Sequence, residues 1–165
     1  MTSKKVVAKL NDQIGLEQAA SQSYLGMAIW CENTSLGGAA AFFYAQSDEE
    51  RGHMMKIVRY VNGCGGAVSV ASVDAPSVKF ASLKSAVSAG LDSEKKVTAS
   101  IQKITTLALE EKDYESFNYL QWFVDEQAEE EQKFQSILDK FELLGENGRA
   151  LYSIDKLMGR MAVEE

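Results

Sequence analysis

Six polar residues that can bind a metal ion occupy positions where a helical repeat calls for apolar side chains. They lie on four segments of the chain and are Glu17, Glu50, His53, Glu94, Gln127 and Glu130. Steps of alternately three and four residues keep side chains on one face of a helix, and each segment is mostly apolar along such a stripe. The first and third stripes carry one acid each, whereas the second and fourth carry two polar residues one turn apart. The spacing predicts that all six lie inside a helical bundle.

Buried acids of this kind need a source of positive charge. Moving one carboxylate from water into a protein interior costs several kcal/mol even after relaxation, so four together would exceed the stability of an ordinary domain. A single glutamate on such a face more often lies at the solvent-exposed edge of the helix interface. Four glutamates at the same level of the bundle instead favour a common site. No lysine or arginine lies on any of the four stripes. Two divalent cations would neutralise four carboxylates, and carboxylates with one imidazole suit such ions. We therefore expect a dinuclear metal site at the middle of the bundle.

Composition sets the class of protein in which this site would lie. The chain has 165 residues, 45% of them hydrophobic, and one proline, which predicts a single all-α domain over residues 1–165. The net charge of −7 argues against nucleic acid as a partner. No apolar run of about 18 residues predicts a membrane span, and no signal core is evident. We expect a cytoplasmic location.

The connections between the stripes predict the helix directions. The link from Asn33 to Gly38 is short, so the first two helices should be antiparallel. The stretch 63–82 could span roughly 60 Å when extended, more than the length of a helix, so it can cross the bundle and make the second and third helices parallel. Asp113 is a candidate N-cap for the fourth helix, and residues 149–161 have the apolar pattern of a short fifth helix. The prediction is an up-down-down-up four-helix bundle with a long crossover.

The two cysteines should not form a disulfide bond. Cys31 ends the first helix, whereas Cys64 lies at the far end of the second, roughly 35 Å along the helix axis. A disulfide requires Cα atoms within about 7 Å. We therefore expect two buried free thiols in a reducing compartment.

Taken together, these residues resemble a known family over nearly the whole chain. The matching segments are Glu17, the Asp48–His53 stretch, Glu94, the Asn118–Glu131 stretch and the closing helix. This pattern is similar to that of bacterial-type non-haem ferritins. The resemblance implies an iron-storage protein with ferroxidase activity, which oxidises Fe(II) with dioxygen or peroxide and stores the product as a ferric oxyhydroxide mineral. It further implies a cage of twenty-four subunits.

The resemblance also assigns ligands to two iron ions in each subunit. Glu17, Glu50 and His53 would hold the first iron. Glu50 would bridge to a second iron held by Glu94 and Glu130.

Further residues match family positions around this pair. Gln127 would support the second iron or its oxygen ligand, although an amide can also cap or coordinate weakly. Tyr24 matches a tyrosine that is a candidate electron donor, and it would equally suit a core position. A possible third iron site would use four acids, which otherwise form an ordinary solvated face: Glu49, Glu126, Glu129 and Glu130.

Departures from related families narrow the prediction. Arg51 occupies the place of the haem-ligating methionine of bacterioferritins, so we expect no haem. A di-iron oxygenase or peroxidase acting on another substrate is the alternative, because it would use the same kind of centre. A structural bundle without catalysis is the third hypothesis. The fifth helix favours a cage, since the family uses it to line an assembly axis.

Overall fold

The computed structural model describes residues 2–163, which form five α-helices and no strand. The four long helices have 27 to 31 residues each. The all-α prediction, including a short fifth helix, is confirmed. The helices are α1 Lys4–Asn33, α2 Gly37–Gly63, α3 Leu83–Glu110, α4 Tyr114–Leu144 and α5 Gly148–Met161.

Side-chain caps fix where the helices begin and end. The Asp113 carboxylate accepts a hydrogen bond from the Ser116 backbone N–H at 3.1 Å, which confirms Asp113 as the N-cap of α4. Asp113 also accepts from the Ser3 N–H at 2.9 Å and so joins the starts of α1 and α4. Ser82 and Ser85 bond reciprocally at the start of α3. Gly145, with φ of 80°, ends α4 in a conformation that favours glycine.

Contacts between helices show their directions. Residues early in one helix meet residues late in its neighbour for α1 with α2, for α3 with α4 and for α2 with α4, so each of these pairs is antiparallel. It follows that α2 and α3 are parallel and that the bundle runs up-down-down-up, as predicted. The pairs in contact are Asn11 with Ala67, which lies just beyond the end of α2, and Ser21–Ser47, Lys84–Glu142, Glu94–Gln127, Gln46–Glu130 and Tyr60–Ser116.

Two apolar clusters fill the bundle and leave a layer between them. One cluster takes residues 20–31 of α1 and 83–91 of α3, together with the aromatic rings of Phe43 and Phe134. The other takes residues 6–14 of α1 and 97–108 of α3, together with Phe123. The intervening residues of each long helix carry the polar side chains of the stripes. The helical repeat therefore places these side chains at one level of the bundle.

The crossover and α5 pack closely on the bundle. Residues 64–82 contain no helix and run beside α1, where a side chain at Gly26 would collide with the Ser77 carbonyl. Helix α5 packs on the start of α2, and the Asp155 carboxylate accepts from the Ala39 N–H at 2.8 Å. A side chain at Gly38 would collide with the Asp155 carbonyl oxygen, so this contact needs glycine.

Both cysteines are free, as predicted. Cys31 is buried, but the prediction that Cys64 is buried is wrong. Cys64 is half-buried because it lies just beyond α2 and lines an open surface pocket between the ends of α1 and α2. None of the helices within residues 2–163 is long and apolar enough to span a membrane.

Candidate metal centre

All six stripe residues are buried in the layer between the two apolar clusters. Their exposed fractions are at most 4%, which for charged groups is unusual unless they are paired. Helix α1 supplies one of them, α2 two, α3 one and α4 two: Glu17; Glu50 and His53; Glu94; Gln127 and Glu130.

Two groups of possible ligands converge in this layer and share one residue. Glu17, Glu50 and His53 bring one ligand atom each within 4.8 Å of one another, and so do Glu50, Glu94 and Glu130. Glu50 belongs to both groups because it projects from α2 between the other three helices. Such sharing is the arrangement in which one carboxylate can bridge two cations.

The first group contains buried polar atoms with nothing to bond. Among residues 2–163, Glu17 Oε2, both Glu50 carboxylate oxygens and His53 Nδ1 form no hydrogen bond. His53 Nδ1 lies 3.4 Å from Glu50 Oε2. Buried polar atoms in native proteins almost always have partners, so four orphans at one point indicate that something else binds there. Lone pairs on carboxylates and on a neutral imidazole are ligands for a cation, and the residues present therefore fit a metal pair.

The buried acids repel one another without a cation. Burial raises the pKa of Glu17 well above its usual value, and the charge of Glu50 raises it further. Burial likewise raises the pKa of Glu50, with the charge of Glu94 as the next cause. Burial raises the pKa of Glu94 to about 7, against the lowering effect of two hydrogen-bond donors. The layer thus holds protons at neutral pH that an incoming cation would displace.

The second group is supplied with hydrogen-bond donors. The Tyr24 hydroxyl donates a hydrogen bond to the Glu94 carboxylate. Burial, followed by the charge of Glu94, raises the pKa of Tyr24 well above its usual value, so the phenol keeps its proton. Gln127 Nε2 donates to Glu94 Oε2 at 3.0 Å, and Gln46 Nε2 donates to Glu130 Oε2 at 2.7 Å. Gln46 lies on the α2 stripe, and its amide was a signal in the sequence for this role.

A lysine also reaches the acids, which the stripes did not predict. Lys133 Nζ lies 2.7 Å from Glu130 Oε1, and the Lys133 side chain is only 17% exposed. The four stripes contain no lysine or arginine, yet a lysine beside the fourth stripe contacts one of the buried acids. Lys133 starts on the flank of the α4 stripe, and its long stem carries the ammonium inward. The signal in the sequence was the three-residue spacing from Glu130, which makes the two side chains neighbours on a helix.

The residues of the expected third site are only partly together. Glu49 and Glu126 are half-buried and form a group with His53, whose Nε2 lies 3.8 Å from Glu126 Oε1. Glu129 is exposed and belongs to none of the possible ligand groups within residues 2–163. The helix turns it outward because it stands one residue before the buried Glu130.

Aromatic rings enclose the histidine. The ring centroid of His53 lies 5.4 Å from that of Trp122 and 6.1 Å from that of Phe123, both in edge-on contact. Lys56 Nζ lies 3.1 Å from the centre of the Trp122 ring on the outer side. These contacts hold the imidazole in place at the boundary between the layer and the second apolar cluster.

Comparison with known proteins agrees with this architecture. The ferritin-like domain family matches residues 7–144. A probable bacterial non-heme ferritin-like protein from Haemophilus influenzae is 41% identical over 99% of both chains. A bacterial non-heme ferritin from Campylobacter jejuni is 40% identical over 99% of this chain and 98% of its own.

Solved structures of similar fold include an open pore ferritin from the archaeon Archaeoglobus fulgidus. It is 35% identical in sequence, has a TM-score of 0.93, and the match covers 96% of this chain and 98% of that one. The family match, the full-length relatives and the shared fold lead to one conclusion: this chain belongs to the ferritin-like family.

Proposed function

We propose that this protein is an iron-storage ferritin whose buried layer is a ferroxidase centre. The observation that carries the proposal is the set of orphaned lone pairs on Glu17, Glu50 and His53, next to a second acid group that shares Glu50. Ferrous iron is the substrate, and dioxygen or peroxide is the oxidant. Relatives named bacterial non-heme ferritins support the choice of iron and favour a centre without haem.

The residues divide between two ferrous ions. Glu17 and His53 hold the first ion, Glu94 and Glu130 hold the second, and Glu50 bridges them. Tyr24 and Gln127 orient Glu94 through the hydrogen bonds they donate to its carboxylate. Tyr24 is also a candidate electron donor because its hydroxyl lies beside this ligand.

Electron count and charge explain why the centre takes two ions. Two ferrous ions and one dioxygen, with two protons, give two ferric ions and hydrogen peroxide, so a pair supplies both electrons in one encounter. Four carboxylates and the Lys133 ammonium carry a net charge of −3, so a ferrous pair exceeds that charge by one and a ferric pair exceeds it by three. The unbalanced charge weakens retention of the product, which favours its transfer to a mineral store.

Storage requires a container, and we propose that the chain assembles into a homo-oligomeric cage of twenty-four subunits in the cytoplasm. The support is the match to the ferritin-like family and a separate α5 that packs on the start of α2. The size of the particle in solution tests whether the chain assembles in this way.

The deciding experiment is ferrous loading in air followed by size-exclusion chromatography. We expect amber iron absorbance to co-elute with a very large particle, at many more irons per subunit than the centre itself can hold. Replacing Glu17 with glutamine should slow the oxidation phase in stopped-flow absorbance without changing particle size. Asp12→Asn is the matched control, because it removes an exposed acid from the same helix.

Two results would contradict the proposal. Equal oxidation rates in Glu17→Gln and Asp12→Asn proteins would exclude the layer as the oxidation site. A small particle that retains two irons and mineralises none would instead favour the di-iron oxygenase or peroxidase.

A further inference from the structure

Lys133 lies where two groups of acids meet. Its Nζ is 2.7 Å from Glu130 Oε1, 3.0 Å from Gln46 Oε1 and 3.4 Å from Glu49 Oε2. These oxygens come from two helices, α2 and α4. Three oxygens around one ammonium form the same kind of oxygen cluster that a hard cation would bind.

The oxygens that Lys133 contacts are shared with the possible ligand groups. Glu130 belongs to the group with Glu50 and Glu94, while Glu49 belongs to the group with His53 and Glu126. The ammonium therefore stands between the second position of the metal pair and the neighbouring half-buried group. A divalent ion bound to Glu49 and Glu130 together would stand a few Å from a fixed positive charge, and the two cations would repel each other.

We propose that Lys133 is a built-in cation that replaces a third divalent ion and so limits each subunit to two. The Lys133 side chain is 17% exposed, and its ammonium cannot be withdrawn without leaving Glu130 with a buried, uncompensated oxygen. Lys133 thus holds the Glu130 carboxylate in place for the second ion while it denies its neighbour Glu49 to a further one. It is a positioning and stoichiometry-setting residue, and this role rests on the proposed metal pair.

Charge supports the same conclusion. Four buried carboxylates and one ammonium carry a net charge of −3, so two divalent ions already make the layer positive by one. A third ion would add two more positive charges and would have only the half-buried acids to balance them. Removing the ammonium restores one negative charge and frees two carboxylate oxygens at the same point.

The test is calorimetric titration of metal-free protein with Zn²⁺, which does not undergo oxidation and so reports binding alone. We expect two Zn²⁺ per subunit for the wild type and one more for Lys133→Met. Lys133→Gln, which keeps a donor for Glu130 without the charge, should also gain one and covers the case in which the methionine variant does not fold. Lys133→Arg should keep two, because it keeps the charge.

Two controls locate the extra ion. Lys140→Met removes an exposed lysine from the same helix and should leave the stoichiometry at two. Adding Glu49→Gln to Lys133→Met should abolish the gain. A second readout is thermal unfolding of the metal-free protein, where Lys133→Met should lower the midpoint and Zn²⁺ should raise it by more than in the wild type.

The outcomes separate this proposal from the function proposed above. Two Zn²⁺ in both the wild type and the neutral Lys133 variants would overturn the role of Lys133 and leave the metal pair intact. An extra ion that persists without Glu49 would overturn it too. A wild type that binds no Zn²⁺ in the layer would overturn the metal pair and this proposal together.

Discussion

The two halves of the buried layer differ in how far the protein itself compensates their acids. On the α1–α2 side, Glu17 and Glu50 have three carboxylate oxygens without a hydrogen bond within residues 2–163. On the α3–α4 side, Glu94 and Glu130 accept from a tyrosine, two amides and a lysine. Both halves bury their acids equally, so the contrast lies in the donors around them and not in depth.

This contrast suggests an order of binding. A cation entering the α1–α2 half displaces protons held by Glu17 and Glu50 and binds oxygens that accept from no donor on another helix. A cation entering the α3–α4 half must share oxygens that already have donors, such as the two on Glu130. The first half should therefore bind its ion more tightly than the second.

The largest effect should come from the residue that joins the halves. Replacing Glu50 with glutamine removes a carboxylate from both groups and should abolish binding of both ferrous ions in an anaerobic titration. The proposed ferroxidase activity should fall by more than the roughly 10- to 100-fold that loss of an outer-shell partner costs.

Asp48→Asn is the control for this change, since it removes an exposed acid two residues earlier on α2. It should titrate as the wild type does. Retention of one tight ferrous site in Glu50→Gln would mean that the halves bind independently, and the bridging role would be wrong.

The next largest effect should come from a variant that affects metal binding in one half of the layer only. Glu130→Ala removes a proposed ligand from the α3–α4 half alone and should leave one tight ferrous site, where we expect two in the wild type. Glu129→Ala removes the exposed neighbour and should leave both. Unchanged two-iron stoichiometry in Glu130→Ala would refute its role as a ligand, and a loss in Glu129→Ala would bring that residue back into the site.

The sequence predicted one half of the layer better than the other. Glu17, Glu50 and His53 stand on stripes, and a helical repeat alone places them in one layer. The donors Tyr24 and Gln127 also stand on stripes. Lys133 does not, because a long flexible stem can carry its charge to a position that the repeat of Cα atoms does not indicate.

Periodicity also could not determine the burial of residues beside a stripe or beyond the end of a helix. Glu129 and Glu126 are both next to a stripe, yet only Glu126 joins a ligand group, because the side-chain rotamer and the neighbouring helix decide which flank turns inward. Cys64 continues the α2 stripe but follows the end of the helix, where the bundle no longer covers it. Stripes predict burial only as far as neighbouring helices extend.

The acids should also make the metal-free protein less stable as pH rises. Burial gives Glu94 a folded-state pKa of about 7, above its ordinary value of 4.5, and raises that of Glu17 and Glu50 as well. The folded state then holds more protons than the unfolded state, so the contribution is complete below about pH 4.5 and is lost as pH rises through about 7. For Glu94 alone the expected loss of unfolding free energy between pH 5 and 8 is on the order of 2 kcal/mol, and Glu17 and Glu50 add to it.

Chemical denaturation of chelator-treated protein at several pH values measures this loss. Saturating Zn²⁺ should remove most of the slope because the cation replaces the protons. Glu17→Gln should reduce it without added metal. A pH-independent free energy of unfolding in the metal-free wild type would show that the acids are compensated in some other way, which would remove the contrast between the halves.

The smallest effect should come from a donor on the compensated side. Tyr24→Phe keeps the buried ring, which stacks on Phe134 with centroids 5.5 Å apart. It removes the hydroxyl that donates to Glu94 and that also lies 3.4 Å from the Gly90 carbonyl oxygen. The Glu94 carboxylate should then be held less firmly in its orientation. The affinity for the second ferrous ion should fall by about 10-fold, while the affinity for the first ion should stay unchanged. Tyr152→Phe, at an exposed position on α5, should change neither. Equal weakening of both ions in Tyr24→Phe would show that the halves act as one unit, whereas a slower oxidation at unchanged affinity would assign Tyr24 to electron donation.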